Sequence, residues 1–340
     1  MKMQDTNQSI SVIVVAFHSA DVILGCVESL LAQEGGVPAI VVVDNASPDD
    51  TVADLRRWAA QKGVDLREFE AGARPSRAEA GTVSLVHSGA NRGFAGGVNV
   101  GLALAAAQSE TRHLWVLNPD AFADPAACRA ILDEAARVPG YGIMGGRVCY
   151  AEPPYRVQID GGTMNFWTGV SGNVNLGRPA AEAVMPAASE IDFVTGASMI
   201  ASRAFYDRVG PMKEDYFLYY EEADWAMRRG DMPLAIAPDL RVYHHAGTAI
   251  GSPTLERLAS PFSFWFKYRA RMMFVRRFNP VGLPVAMVYA TAKAGQLMLK
   301  GAWPQAVTLL RAVWGLSAPD EVRSRLSPEA QKIAFGHASK

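Results

Sequence analysis

Three carboxylates lie within four residues at Glu221 to Asp224 (EEAD), at the start of a predicted helix. The helix dipole favours acidic residues in a first turn, so capping explains one or two of them. Capping does not readily explain all three beside Tyr219, Tyr220 and Trp225. Because close carboxylates raise one another's pKa, and a positioned carboxylate can remove a proton, the cluster predicts a general base.

A histidine pair, His244 and His245, follows a short predicted strand, and Asp120 follows another strand in the segment NPDA. A single histidine of this kind is usually structural. Mg²⁺ and Mn²⁺ favour oxygen ligands, however, and Mn²⁺ also tolerates imidazole. One of these histidines could therefore complete a divalent metal site with Asp120.

A glycine-rich turn, NRGFAGGVNVG, runs from Asn91 to Gly101 and enters a predicted helix. Glycines let backbone amides approach a phosphate at the positive end of a helix. Taken alone, they would more often serve helix packing. The stretch lacks the G-x-G-x-x-G pattern of dinucleotide-binding proteins, which counts against a nicotinamide-dependent dehydrogenase.

The elements that must position these residues are predicted from the first 150 residues. There, short apolar runs alternate with helical patterns, as in a layered α/β sheet. Strands are predicted at 10–17, 39–44, 83–87 and 113–117, and helices at 22–33, 51–61, 96–108 and 126–138. In open α/β sheets, ligands bind outside the carboxyl ends of the strands. The polar residues that follow each strand are therefore candidate site residues.

From about residue 141 glycine and proline become dense, with short strands predicted at 143–150 and 193–201 and a helix at 221–229. After Pro261 the pattern is helical again, at 262–278, 283–299, 304–316 and 328–335. We predict a catalytic domain over 1–256, with a nucleotide-binding half to about residue 140. A helical region would follow over 257–340.

The charge is distributed unevenly, although 33 basic and 34 acidic residues nearly cancel. Residues 257–311 hold nine basic and no acidic residues, whereas residues 1–256 hold 20 basic and 31 acidic ones. A general nucleic-acid-binding protein would carry its basic surface on the main folded body. This distribution therefore argues against nucleic acid as a partner.

Three cysteines without a CxxC pair indicate neither a disulfide framework nor a cysteine-based zinc site. The polar stretch 1–9 lacks the layout of a signal peptide. The most apolar segment, 281–299, is interrupted by Pro284, Lys293 and Gln296, so we expect it to lie on a membrane rather than cross one. A cytoplasmic location, with possible peripheral contact with the inner face of the cell membrane, is expected.

Six segments, taken in this order, resemble the family-2 glycosyltransferases of GT-A fold, in particular their bacterial rhamnosyltransferase-like and galactofuranosyltransferase-like branch. They are VIVVAFHS, VVVDNASPDD, NRGFAGGVNVG, NPDA, VTGASMIASRAFYDRVGPMKEDYFLYYEEADWAMR and VYHHAG, spread over about residues 10–275. The resemblance implies a Rossmann-like, nucleotide-binding mixed sheet flanked by helices, with a helical C-terminal extension.

The resemblance also implies donor-binding and metal-binding residues. Those expected to contact a nucleotide diphosphate sugar are Ala16, Phe17, Ser19, Asp44, Asn91, Gly93, Phe94, Asn99, Asn118, Asp120 and Arg228. Asp120 matches the last aspartate of the D-x-D motif and would bind Mg²⁺ or Mn²⁺, with His244 as the second ligand. Asn118 replaces the first aspartate of that motif, which leaves a thinner metal shell.

In the same way, Glu222 would be the general base, at a position where the family more often has Asp. Asp224 would help to bind the acceptor or orient the base, and Arg228 would pair with it one helical turn on. The implied reaction is an inverting transfer of a sugar, rhamnose as first choice, from a dTDP- or UDP-linked donor. The acceptor would be a glycan or a lipid-linked molecule in cell-surface polysaccharide assembly.

Two other functions stay open at this point. A sugar nucleotidyltransferase would begin with a basic, glycine-rich loop, which residues 10–19 lack. A catalytically degenerate protein that binds sugar nucleotides as a scaffold is compatible with Asn118 and Glu222, the two departures from the family pattern.

The helix predicted at 262–278 interleaves aromatic, Met and basic residues. These are Phe262, Phe264, Trp265, Phe266, Tyr268, Met272, Met273 and Phe274, with Lys267, Arg269, Arg271, Arg276 and Arg277. Such a helix suits the surface of an anionic membrane. Packing against the catalytic domain, or a homodimer interface, explains the same pattern equally well.

Overall fold

The computed structural model describes residues 9–73, 81–245 and 258–336. The predicted domain boundary at 256, most of the N-terminal stretch 1–9 and the last two residues of VYHHAG lie outside these residues. The strands are β1 (Ile10–Ala16), β2 (Ala39–Asp44), β3 (Leu66–Glu70), β4 (Val83–His87), β5 (His113–Leu117), β6 (Ala121–Ala123), β7 (Ile143–Tyr150), β8 (Val157–Ile159), β9 (Gly162–Asn165), β10 (Val170–Asn173), β11 (Ser198–Ser202) and β12 (Leu234–His244).

Helices lie between and after these strands. They are α1 (Ile23–Leu31), α2 (Thr51–Lys62), α3 (Gly93–Ala106), α4 (Ala127–Arg137), α5 (Arg203–Val209), α6 (Glu221–Met227), α7 (Pro261–Phe278), α8 (Leu283–Leu299), α9 (Trp303–Val313), α10 (Asp320–Arg323) and α11 (Pro328–Phe335).

A ten-stranded mixed sheet forms the centre of the molecule, in the order β3-β4-β2-β1-β5-β11-β7-β12-β6, with β8 paired to β7. The first five strands, β1 to β5, run parallel to one another, whereas β11 is antiparallel to β5. Every residue of β1 and β2 is buried, as predicted from their continuous β-branched runs. The α/β class, the mixed sheet and the C-terminal helices are confirmed.

The register of the parallel strands brings the predicted motifs together. Ala16 pairs with Asp44, and Asp44 pairs with His87, so the ends of β1, β2 and β4 are level with one another. At the other side of β1, Val14 pairs with Leu117 and places the NPD turn next to the end of β1. The carboxyl edge of the sheet therefore collects residues that are up to 100 positions apart in the chain.

Several elements differ from the prediction. β3 was not predicted because its sequence, LREFE, is polar and lies half-exposed at the edge of the sheet. The strand predicted at 193–201 is shorter and ends one residue later, at Ser202, because the chain before Ser198 forms a turn. The three cysteines are buried and free, as expected.

Gly93 is the point at which the glycine-rich turn becomes α3. Its φ is 72°, and a Cβ atom built there would lie 2.2 Å from the backbone oxygen of Phe217. The same oxygen accepts a hydrogen bond from the amide of Phe94 at 2.8 Å. No residue with a side chain can therefore occupy position 93 without moving the segment that leads to α6.

We expect Gly93→Ala to lower the free energy of unfolding by about 3 kcal/mol, because the strain of a positive φ adds to a backbone clash. Gly63 is the matched control, since its φ is 69° but no atom lies within 4 Å of an added Cβ. Gly63→Ala should cost only about 1–2 kcal/mol. Urea denaturation measures both, and equal losses would contradict the contact described here.

The C-terminal helices pack against the catalytic body. Ala270 and Phe274 of α7 join the apolar core beneath the sheet, and Phe217 joins the core formed by α7 to α11. Arg277 forms ion pairs with Asp215 and Asp224. In the described residues, α7 is therefore a structural part of the body that carries the EEAD segment.

Of the interpretations left open for α7, packing against the catalytic domain accounts for its aromatic residues. Phe262, Phe264, Trp265, Phe266, Tyr268, Met272 and Phe274 are buried within the protein, and Met273 is half-buried. The core beneath the sheet covers one side of α7, and the later helices cover another. Within the described ranges, no helix is both long enough and apolar enough to cross a bilayer.

Candidate active site

A cavity of about 360 Å³ opens at the carboxyl edge of the sheet. Its walls come from the ends of β1 and β5, the turn before α3, the end of β12, the start of α6, and the C-terminal helices. The lining residues that carry polar side chains are Ser19, Asn45, Asn91, Asn118, Asp120, Gln158, Asn173, Thr195, Tyr219, Glu221, Glu222, His244 and Arg325.

Asn45 organises one end of this cavity. Its amide nitrogen donates to the side-chain oxygen of Asn91 at 3.3 Å and to the carbonyl oxygen of Gly93 at 3.0 Å. Its side-chain oxygen accepts from the backbone amide of Arg92 at 3.0 Å. A single amide group therefore fixes the glycine-rich turn to the end of β2.

The predicted donor residues divide into two groups. Phe17, Ser19, Asn91, Gly93, Phe94, Asn118 and Asp120 line the cavity. Ala16, Asp44, Asn99 and Arg228 do not line it, and for these four a donor contact stays a prediction.

The four residues outside the lining have defined partners. The Ala16 carbonyl accepts a hydrogen bond from the backbone N–H of Asn45 at 2.8 Å. The Asp44 carboxylate accepts one from the backbone N–H of Ser47 at 2.9 Å. Asn99 exchanges hydrogen bonds with the backbone of Met212. These contacts join the elements that surround the cavity.

Asp120 and His244 face each other across the middle of the cavity. The Nε2 atom of His244 lies 3.0 Å from Oδ1 of Asp120 and 3.1 Å from Nδ2 of Asn118. Its Nδ1 atom lies 2.8 Å from Oε1 of Gln158. Since that amide oxygen can only accept, Nδ1 carries the proton and the Nε2 lone pair points at the carboxylate.

Carboxylate and imidazole both bind Mn²⁺, and a distance of 3.0 Å between Oδ1 of Asp120 and Nε2 of His244 lets one divalent cation contact both atoms. In the described residues, no group of three or more His, Cys, Asp or Glu side chains is placed to hold a metal. The protein ligands would therefore be two, and the rest of the coordination shell would come from elsewhere, such as phosphate oxygens or water.

The EEAD segment enters the cavity from a strained turn. Phe217, Tyr219 and Tyr220 all have positive φ, at 66°, 70° and 70°. The Tyr220 hydroxyl donates to the carbonyl of Gly169, and the Tyr219 hydroxyl donates to Ser263. Backbone strain of this kind persists only where the surroundings enforce it, and it often marks a functional site.

Glu221 and Glu222 both line the cavity, with different surroundings. Burial, together with the neighbouring Glu222, raises the pKa of Glu221 well above its usual range, and its Oε2 atom has no hydrogen-bond partner. Burial raises the pKa of Glu222 to about 6, and Lys267 opposes that rise. Near neutral pH, Glu222 is therefore mostly ionised, while its neighbour Glu221 is the carboxyl with the stronger upward shift of its pKa.

Asp224 lies behind the cavity wall, fully buried. Arg228 donates to it at 2.8 Å, which confirms the predicted pair, and Tyr216 and Arg277 also donate to it. Its carboxylate therefore fixes α6 to α7, and it does not line the space open to an acceptor. An orienting role towards Glu222 stays a prediction.

Sequence reasoning missed Gln158, Thr195, Lys267 and Arg325. Asn45 was a candidate only as one of the polar residues that follow a predicted strand. Gln158 belongs to β8, in a segment with no readable periodicity. Arg325 reaches the cavity from the C-terminal helices, and its guanidinium lies 4.8 Å from the centre of the Phe262 ring.

Comparison with known proteins identifies related sequences. Residues 11–160 match the model of the family described as glycosyl transferase family 2. A low-salt glycan biosynthesis hexosyltransferase of Haloferax volcanii is 24% identical over 230 residues, which cover 67% of this chain and 64% of that protein. The N-acetylglucosaminyl-diphospho-decaprenol L-rhamnosyltransferase of Mycobacterium tuberculosis is 27% identical over 195 residues, covering 52% of this chain and 64% of that protein.

Two solved structures share the fold at low sequence identity. The mannosyltransferase PcManGT of Pyrobaculum calidifontis, solved with GDP-Man and Mn²⁺, has a TM-score of 0.51 and 17% identity, over 97% of this chain and 85% of that one. GalNAc-T7, solved with UDP, GalNAc and Mn²⁺, has a TM-score of 0.57 and 12% identity, over 100% of this chain and 59% of that one. The chain thus spans just under two thirds of the curated relatives that it matches.

Proposed function

The chain belongs to the family-2 glycosyltransferases of GT-A fold, and from that premise we propose that it transfers a sugar from a nucleoside diphosphate sugar to an acceptor hydroxyl, with inversion at the anomeric carbon. One observation carries the proposal. An ionised carboxylate with a raised pKa, Glu222, shares a cavity with the Asp120 and His244 pair.

The donor would bind along the carboxyl edge of the sheet. Phe17, Asn91 and Phe94 offer an apolar face and amide groups for a base and ribose at one end of the cavity. The diphosphate would lie towards Asp120 and His244. There, a bound Mg²⁺ or Mn²⁺ would supply positive charge to a departing diphosphate.

The acceptor hydroxyl would approach Glu222. Its proton moves to the Glu222 carboxylate while its oxygen attacks the anomeric carbon, and the bond from that carbon to the diphosphate oxygen breaks. The electron pair of the broken bond leaves with the nucleoside diphosphate. The neighbouring Glu222 raises the pKa of Glu221, because two ionised carboxylates side by side are unfavourable.

We further propose rhamnose as the sugar, from a deoxythymidine-linked donor, with uridine-linked hexoses as the second choice. The similarity to a rhamnosyltransferase supports this order. That relative's name includes a diphospho-decaprenol acceptor, and a lipid-linked acceptor also suits the apolar Leu218, Phe262 and Leu326 beside Arg325 at the helical wall of the cavity.

The test is calorimetric titration of uridine, deoxythymidine and guanosine diphosphate sugars, each with and without Mn²⁺. We expect one nucleotide class to bind at least about tenfold more tightly with Mn²⁺, because the cation neutralises the diphosphate. Folded protein that binds no member of the panel, with or without Mn²⁺, would overturn the proposed donor site.

A further inference from the structure

α8 buries a stripe of small residues and exposes several large apolar ones. The buried stripe is Ala286, Ala290 and Ala294, which repeats every four residues and is continued by Leu297. On the opposite side, Val288 is 72% exposed and Leu299 is 91% exposed. A surface helix of a protein surrounded by water normally shows the reverse arrangement, with polar residues facing outward.

The exposed apolar surface extends beyond α8. Val281, just before the helix, is 76% exposed, and Trp303, Trp314 and Leu316 of the α9 region are each more than half exposed. α8 and α9 pack against each other. We call the α8–α9 face the exposed set Val281, Val285, Val288, Tyr289, Leu299, Trp303, Val307, Trp314 and Leu316.

The charged residues within 257–319, the segment that carries this face, are all basic. The sequence contains no acidic residue from 257 to 319, whereas Lys293, Lys300 and Arg311 lie on α8, at its end and on α9. Exposed tryptophans beside lysines and arginines are typical of helices that lie at a lipid–water interface.

The same charges argue against a second copy of the chain as the occupant. A twofold contact through this face would bring identical basic segments together, with no acidic residue in 257–319 to compensate. Anionic phospholipid headgroups complement both the charge and the apolar side chains.

We propose that the α8–α9 face binds the surface of an anionic phospholipid membrane, with both helices lying in the plane of the interface. The proposal does not depend on sugar transfer. It also differs from the expectation made for α7, whose aromatic residues are buried. α7 packs against both α8 and α9 and contributes Phe262 to the cavity, so the attached helices belong to the same helical unit as one wall of the cavity.

Flotation with vesicles tests the proposal. The full chain should float with phosphatidylcholine vesicles that contain phosphatidylglycerol, less so with phosphatidylcholine alone, and less at high salt. The double variant Val285→Asp with Val288→Asp should lower the partition coefficient by about a hundredfold, since both side chains lose their burial in lipid. Val184→Asp is the matched control, because Val184 is 79% exposed but lies outside this face.

Three results would overturn the proposal. One is the absence of flotation at low salt, and the second is a double variant that floats as well as the wild type and Val184→Asp. The third is a stable wild-type dimer in light scattering that the double variant dissociates, which would assign the face to a second copy. Unchanged thermal unfolding of the variants, expected for exposed positions, shows that any loss is not due to misfolding.

Discussion

Replacing Glu222 by Gln is expected to lower kcat by about a thousandfold, while the Kd of the sugar nucleotide changes by less than about twofold. Glutamine keeps the size of the side chain and its place at the start of α6 but cannot accept the proton. Single-turnover kinetics with the donor identified by calorimetry measures the loss, and titration measures the Kd.

The pH profile provides the control for this prediction. Because burial raises the pKa of Glu222 to about 6, the base is protonated and inactive below that pH, and kcat should rise with pH through about 6 to a plateau. Glu221→Gln should keep most of the activity, since burial and the neighbouring Glu222 raise the pKa of Glu221 and disfavour its ionised form. Full activity in Glu222→Gln, or the same rise with pH in that variant, would remove Glu222 from the role.

Replacing His244 by Ala is expected to weaken Mn²⁺-dependent donor binding by about a hundredfold or more, and Asp120→Asn should do the same. Replacing a residue that only orients a metal ligand lowers metal affinity by about 10–100-fold, so replacing a ligand itself should lower it at least as much. Gln158→Leu removes the hydrogen-bond partner of His244 Nδ1 and should weaken Mn²⁺-dependent donor binding by about 10–100-fold. Calorimetry at several Mn²⁺ concentrations measures all three.

His245→Ala is the matched control for the metal site. His245 is adjacent in sequence, but its ring lies at the surface near Glu152, 3.1 Å away. We expect its removal to leave the Mn²⁺ dependence unchanged. If His245→Ala and His244→Ala weaken binding equally, or if Asp120→Asn keeps the wild-type response, then the assignment of the ligands is wrong.

Much of the fold could be predicted from local sequence. β1 and β2 are continuous β-branched runs, which predicts that both of their faces are buried in the sheet. The same strand ends drew attention to Asn91, Asn118 and Asp120, which line the cavity. Residues that directly follow a buried strand are predictable because the sheet itself determines where they lie.

Residues that enter the site from distant elements could not be predicted. Gln158 and Arg325 reach the cavity through contacts between segments more than 60 positions apart, and no local periodicity encodes such contacts. The sequence left α7 open between a membrane surface and packing against the catalytic domain or a second copy, because a helix that interleaves aromatic and basic residues suits each of them. Only the packing shows that α7 is covered, whereas α8 exposes its valines.

The most direct test of the account is release of nucleoside diphosphate from the donor that binds, measured with and without a lipid-diphosphate acceptor. The wild type should release nucleoside diphosphate much faster with the acceptor, and the product should carry the inverted anomeric configuration. Glu222→Gln should show neither the faster release nor the product. A wild-type protein that binds the donor but transfers sugar to no hydroxyl acceptor, and shows not even slow hydrolysis, would contradict catalysis and indicate a scaffold that only binds sugar nucleotides.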